Sequence, residues 1–261
     1  MRRALCLLAT LLCGSAWTES SNTAPSYSSA SIVNSASNIP GPLAPNGLTT
    51  IYGTNLAWST RAVGPEDISG GVMPTVLAGV RVYVGGNPAY LYYVSPKQIN
   101  FLIPSRLKAG TFDVWVFREG LVGEKVSVQL SEAAPGLFQL DAETVIATHA
   151  DGSVVTPAQP ARPGEAVVVY AAGLGRTDPE SLPGHLATIA APIRARSALR
   201  VTLNGEPVAD AAIFYAGVTP GFAGLYQINL RLPDAPPENP EIQVWVGDQS
   251  SAALKLPLVF P

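Results

Sequence analysis

The chain has 261 residues, with 16 Lys and Arg against 19 Asp and Glu, a net charge of −3 and only 13% charged residues. A balance so weak, acidic and free of basic runs argues against nucleic acid as a partner. Gly and Pro number 24 each, a composition that suits many short strands with tight turns, whereas long amphipathic helices need more Lys, Glu and Arg.

In chain order, Arg2 and Arg3 precede an apolar run from Ala4 to Leu12, followed by the small residues Gly14 and Ala16. This is the pattern of an export signal over residues 1–16, cleaved after Ala16, and the run is short for a bilayer span. A lipid anchor on Cys13 is the rival, weakened by Leu12 where attachment favours a small residue. Both cysteines, Cys6 and Cys13, lie inside the signal, so the exported chain has no disulfide and no thiolate metal site. Without Arg2 and Arg3 the balance becomes 14 basic residues against 19 acidic, mildly acidic and spread out. Residues 17–30 are rich in Ser, Thr and Asn and read as a flexible leader.

Two similar units follow, 31–136 and 137–261, each near the roughly 100 residues a β-sandwich needs. Val80 to Gly86 (VRVYVGG) matches Leu199 to Gly205 (LRVTLNG), and Gln98 to Pro104 (QINFLIP) matches Gln227 to Pro233 (QINLRLP). Val114-Trp115-Val116 matches Val244-Trp245-Val246, and Pro45 to Tyr52 matches Pro163 to Tyr170. A period this long signals duplicated domains, not a solenoid. The matched pieces alternate with period two: Val80, Val82 and Val84 oppose Arg81 and Tyr83, and Phe112, Val114 and Val116 oppose Asp113, Trp115 and Phe117. That is the pattern of half-buried antiparallel strands. Gly85-Gly86, Asn204-Gly205, Asp151-Gly152 and Gly247-Asp248 supply the turns.

At these residues the chain resembles known families. Gly47 to Leu56, with its Thr-Ile-Tyr-Gly-Thr-Asn-Leu run, is similar to the opening strand of IPT/TIG-type immunoglobulin-like domains. Val167 to Gly175, Tyr215 to Asn229 and Val244 to Gly247 resemble the uncharacterised C-terminal domain of secreted acidobacterial (Solibacter-type) proteins, a likeness covering about residues 134–261. The first half is similar in outline but lacks the long Gly-rich insertion before Gln98. The resemblance implies an all-β fold of two tandem immunoglobulin-like antiparallel β-sandwich domains, outside the cell, with no catalytic residues to carry over.

The chemistry-bearing residues are sparse. A serine hydrolase needs a base and an orienting acid, yet only His149 and His185 are present, and no Gly-x-Ser-x-Gly elbow occurs. Two isolated histidines make a poor zinc site. Gly173-Leu174-Gly175 lacks the third Gly and the Lys-Ser/Thr of a phosphate loop. Asp141 with Glu143, Asp178 with Glu180, and Glu66 with Asp67 are the acid pairs a glycosidase would draw on, and Asp151 or Asp178 the loop ligands for calcium, though without Asp-rich spacing. No cofactor or metal site is expected.

Two features remain. Gln98 and Asn100 share one strand face, as do Gln227 and Asn229; such amides either hydrogen-bond a sugar or satisfy backbone groups at the following Pro turn. Their recurrence in both copies favours the structural role. Tyr83, Tyr90, Tyr92, Trp115 and Phe117 fall on the non-core phase of their strands, Trp58 lies in a loop, and Trp245 repeats Trp115. Tyr83, Tyr92, Trp115 and Trp245 are therefore the candidate ligand or domain-interface aromatics. The expected function is a secreted, non-catalytic binding, adhesion or spacer module contacting a protein or glycan at the cell exterior. The alternatives are a carbohydrate-binding accessory protein and a glycan hydrolase using loop carboxylates. The short, partly apolar connection Ala134 to Phe138 favours fixed geometry between the units.

Overall fold

The computed structural model describes residues 23–259; the expected export signal, both cysteines and the first part of the expected leader lie outside the described residues. Ten strands build the first unit: β1 (Ile32–Asn34), β2 (Leu48–Tyr52), β3 (Arg61–Ala62), β4 (Val80–Val84), β5 (Asn87–Pro88), β6 (Tyr90–Val94), β7 (Gln98–Leu102), β8 (Gly110–Arg118), β9 (Leu121–Val122) and β10 (Val126–Leu130). Eleven build the second: β11 (Gly136–Leu137), β12 (Ala147–His149), β13 (Ala166–Ala172), β14 (Ala191–Pro192), β15 (Leu199–Leu203), β16 (Glu206–Pro207), β17 (Ile213–Val218), β18 (Tyr226–Arg231), β19 (Glu241–Val246), β20 (Gln249–Ser250) and β21 (Leu254–Lys255).

Each unit is a pair of antiparallel sheets. The first has the orders β1-β2-β7-β6-β3 and β10-β8-β4-β5, with β9 beside β8. The second has β11-β13-β18-β17-β14, with β12 also on β13, and β16-β15-β19-β20, with β21 on β19. The period-two pattern explains the layering. Val80, Val82 and Val84 are fully buried while Arg81 and Tyr83 are half-buried on the outer face. Inner faces close two separate cores, one around Ile51, Leu91, Ile99, Phe101, Val114 and Val116, the other around Val169, Val201, Tyr226, Ile228, Ile242 and Val244. No helix among the described residues is long and apolar enough to cross a membrane.

The duplication holds in the order of the main strands, although two strands, β11 and β12, share the place of β1. In both units the hairpin after the VRV or LRV strand turns on two residues with positive φ, Gly85 and Gly86 (56° and 81°) or Asn204 and Gly205 (49° and 84°). Gln98-Ile99-Asn100 pairs with Tyr52-Ile51-Thr50, and Gln227-Ile228-Asn229 with Tyr170-Val169-Val168. Even an irregularity repeats, since β6 bulges between Leu91 and Tyr93 where β17 bulges between Ile213 and Tyr215.

One sequence match is displaced. Arg81 lies across from Phe117 and Tyr83 across from Trp115, whereas Arg200 lies across from Trp245 and Thr202 across from Gln243. Trp245 therefore occupies the place of Phe117, not of Trp115, and Val246 the place of Arg118. The hairpin turn fixes this, because Phe117 pairs with Val122 as Trp245 pairs with Ser250. A two-residue shift keeps every side chain on its face, so alternation alone does not reveal it.

The expected flexible leader does not hold over residues 23–30. Ser26 and Thr54 exchange backbone hydrogen bonds (3.0 and 2.9 Å). The Tyr27 hydroxyl donates to the Glu124 carbonyl (2.7 Å) and accepts from the Val116 amide (2.9 Å). Gly53 and Gly123 make room: a Cβ on either would strike the backbone of Ser26 or Pro25. A Ser- and Thr-rich composition says little about order when backbone groups and one Tyr supply the anchors.

The units meet through a third apolar cluster of Met73, Leu102 and Ala223, flanked by Leu48, Tyr90, Tyr92 and Leu186. Met73 N donates to Gly184 O and Leu186 N to Gly71 O, both at 2.8 Å. Arg176 reaches Leu107 O (2.7 Å), and within the first unit Asn34 Nδ2 holds Ala134 O (3.0 Å) just before the connection.

Candidate functional site

The outer face of β8 and β4 carries the densest group of the candidate aromatics. Tyr83 and Trp115, a direct cross-strand pair, stack with ring centroids 5.2 Å apart and planes 13° from parallel. Lys125 precedes β10 on the other side of β8, and its Nζ lies 4.7 Å from the centre of the Trp115 ring. Trp115 thus has both a stacked ring and a cation against it, Tyr83 and the Lys125 ammonium. One row along, the Arg81 guanidinium covers Phe117 at 5.5 Å. Below them Asp113 accepts from Ser127 (2.8 Å) and Thr111 donates to Gln129 (2.9 Å). This face presents stacked rings and cations side by side.

The second unit repeats only part of this. Arg200 covers Trp245 at 4.7 Å, in the register of Arg81 over Phe117. Where the first unit has Tyr83, the second has Thr202, buried, its hydroxyl without a hydrogen-bond partner among the described residues. The device common to both units is therefore an Arg laid over an aromatic across the strands.

Tyr92 lies elsewhere, at the junction between the units. Its hydroxyl donates to Ala223 O (2.5 Å) and accepts from Ala223 N (3.1 Å), and burial pushes its pKa up to about 12. The repeated amides bond to each other: Gln98 Nε2 donates to Asn100 Oδ1 (2.8 Å) and Gln227 Nε2 to Asn229 Oδ1 (2.9 Å). Thr50 adds a second donor to Asn100 (3.3 Å). These bonds run along the strand face and not to the backbone of the Pro turn, so the turn account of the motif does not hold in detail.

The structure brings one histidine and carboxylate together that sequence separation hid. His149 Nδ1 is 2.6 Å from Glu165 Oε1, and its Nε2 is 3.2 Å from Gln159 O. The hydrogen bond to Glu165 holds the imidazole pKa above 6.5. Both ring nitrogens face acceptors, an arrangement that satisfies the ring best when it is protonated. Glu165 also accepts from Arg162 N (2.8 Å). His149 is a clip joining β12, β13 and the intervening loop. His185 sits apart, its Nδ1 beside Pro183 O (3.1 Å).

The expected acid pairs are mostly engaged locally. Asp141 accepts from the amides of Glu143 and Thr144, and Asp151 from Ser153. Asp67 pairs with Arg61, Glu143 with Lys255 and Glu180 with Arg176. Among the described residues, no three His, Cys, Asp or Glu converge to hold a metal ion.

Arg118 was not singled out by the sequence reading, yet it is the largest fully buried side chain described, at 1% exposure. It donates to Asn55 O (2.5 Å) and Thr23 O (2.7 Å) and lies 3.6 Å over the Trp58 ring. Its place on the core phase of Val114-x-Val116-x-Arg118 was the available signal. Tyr226 is the second such residue, fully buried, donating to Gly175 O (2.5 Å) and accepting from Asn46 (3.3 Å).

No curated protein matches the chain. Among solved structures, the SGBP-B of a Bacteroides ovatus mixed-linkage glucan utilization locus, in complex with a mixed-linkage heptasaccharide, is 11% identical with a TM-score of 0.34, covering 84% of this chain and 44% of that one. The SGBP-B from a complex xyloglucan utilization locus in Bacteroides uniformis is 12% identical with a TM-score of 0.26, covering 92% and 50%. Domains 5–6 of the S-layer protein SbsC are 10% identical with a TM-score of 0.28, covering 90% and 98%. The chain spans half or less of the length of the two Bacteroides proteins. Residues 31–137 match the family model of the IPT/TIG domain, and with that match the all-β tandem architecture is an immunoglobulin-like one.

Proposed function

We propose that the chain is an exported, non-catalytic binding module, residues 31–136 and 137–261 acting as two sandwich units and the outer face of β4 and β8 as the contact surface. The observation that carries this is the Tyr83–Trp115–Lys125 row. The rings are stacked on one another, while the Trp115 indole N–H, the Tyr83 hydroxyl and the Lys125 ammonium form no hydrogen bond among the described residues. Two half-buried rings and an exposed ammonium, all with uncommitted donors, suit a ligand rich in acceptors, such as the hydroxyls and carboxylates of a glycan. The likeness of residues 134–261 to the C-terminal domain of secreted Solibacter-type proteins supports an extracellular setting.

An array of neutral and uronic-acid-containing glycans, probed with the protein and with Trp115→Ala, tests the reading. Binding that weakens about tenfold or more in Trp115→Ala is expected. Turnover of any polysaccharide, abolished by one loop carboxylate change, would overturn the non-catalytic assignment. Absence of glycan binding, with a protein captured through the same face, would replace the ligand class.

A further inference from the structure

A recess of about 260 Å³ lies where the loop between β13 and β14 meets the β17–β18 connection and Asn46 of the first unit. Its rim holds Leu182, Ile189 and Phe222, which are 59%, 61% and 49% exposed. Three of the most exposed large apolar side chains described thus gather on one concavity, where scattered exposure would be unremarkable. Ala191 and Val218 line the depth.

The wall also contains a committed polar group. Asn46 is 4% exposed, with its backbone at φ 59°. Tyr226 gives its proton to Gly175 O, so its oxygen accepts from Asn46 Nδ2. That orients the carboxamide and leaves Asn46 Oδ1 without a hydrogen bond among the described residues; it is not one of the fully enclosed unpartnered atoms, so it stays open to solvent and to a ligand at the recess that Asn46 lines. His185 also lines the recess, its Nδ1 3.1 Å from Pro183 O. Size selects the ligand. The recess falls below the roughly 300 Å³ where pockets for drug-sized molecules begin, and exceeds the roughly 150 Å³ that admits benzene.

We propose that this recess binds a phenol: one aromatic ring against Leu182, Ile189 and Phe222, its hydroxyl donating to Asn46. The ring belongs to a free phenolic molecule or to a tyrosine on a partner protein. This site is separate from the face of β4 and β8, and either reading can fail without the other.

The test is amide NMR of the whole protein titrated with p-cresol, with toluene and with the peptide Gly-Gly-Tyr-Gly-Gly. Saturable shifts at Ala187, Phe222 and Gly224 are expected, with p-cresol bound about fivefold or more tightly than toluene. Asn46→Gly keeps the left-handed backbone and is expected to erase that preference. Thr188→Trp, which fills the recess from its rim and leaves Asn46 intact, is expected to abolish binding of both. Tighter binding of the peptide than of p-cresol assigns the ring to a partner protein, and weaker binding assigns it to a free molecule. No saturable shift with any probe, or full binding in Thr188→Trp, overturns the site; an undiminished preference in a folded Asn46→Gly overturns the acceptor.

Discussion

Arg118 and Val246 hold the same place in the two sandwiches, on the core face beside a two-residue hairpin turn, and they do different work. Val246 completes an apolar core. Arg118 extends past its core to hold two carbonyls and the Trp58 ring, binding the segment that contains Thr23. The bulge residues differ in the same way. Tyr92 is bonded twice to Ala223 of the second unit, while Phe214, its counterpart in β17, is 60% exposed. One scaffold, copied, has been adapted in its first copy to hold what precedes and follows it. The lesson is that duplicated strands preserve pleat and turn, while a single side chain at a fixed position decides whether a unit has a neighbour.

The largest expected effect comes from breaking the first of these contrasts. Arg118→Ala leaves Asn55 O and Thr23 O unmet and empties the space beneath Trp58, so a loss of about 3 kcal/mol in urea unfolding is expected. Arg118→Met sharpens the comparison, since an apolar replacement of a buried cation is far better tolerated than truncation. It is expected to recover most of that loss while amide exchange at Ser26 and Thr54 accelerates. Equal exchange in the two proteins would show that Arg118 does not hold the segment.

Next is the bulge. Tyr92→Phe removes both hydrogen bonds to Ala223 and is expected to lose about 1–2 kcal/mol. Phe214→Tyr, the reciprocal change on an exposed site, is expected to stay within about 0.5 kcal/mol. The same denaturation series checks both. Comparable losses would mean the two positions are not functionally distinct.

The smallest effect concerns a feature of the second unit alone. Because Glu165 raises the His149 pKa above 6.5 in the fold, the clip contributes stability that is fully present below the unfolded pKa and disappears as pH rises through the folded one. Thermal melts from about pH 5 to about pH 8.5 are expected to show Tm declining toward the alkaline side in the native protein relative to His149→Gln. Parallel curves would remove the clip from the account.

Much of the scaffold was legible in advance because it depends on local rules. Alternation in Val80 to Val84 set a face, and Asn204-Gly205 set a hairpin. The register of Trp245 was not legible, since a two-residue slip preserves facing and only the Gly247-Asp248 turn, paired in space, resolves it. The roles of Tyr92 and Asn46 were hidden because their partners, Ala223 and Tyr226, lie far along the chain in the other unit. Polar residues before Tyr27 suggested looseness, yet glycines at 53 and 123 had been cleared for that very segment.

The central claim is that two copies of one sandwich are docked as a single body through Tyr92 and the Met73–Leu102–Ala223 cluster. Residual dipolar couplings measured across both units test it most directly. One alignment tensor fitting residues of both sandwiches is the predicted result; two tensors of different magnitude, reporting independent reorientation, would contradict it.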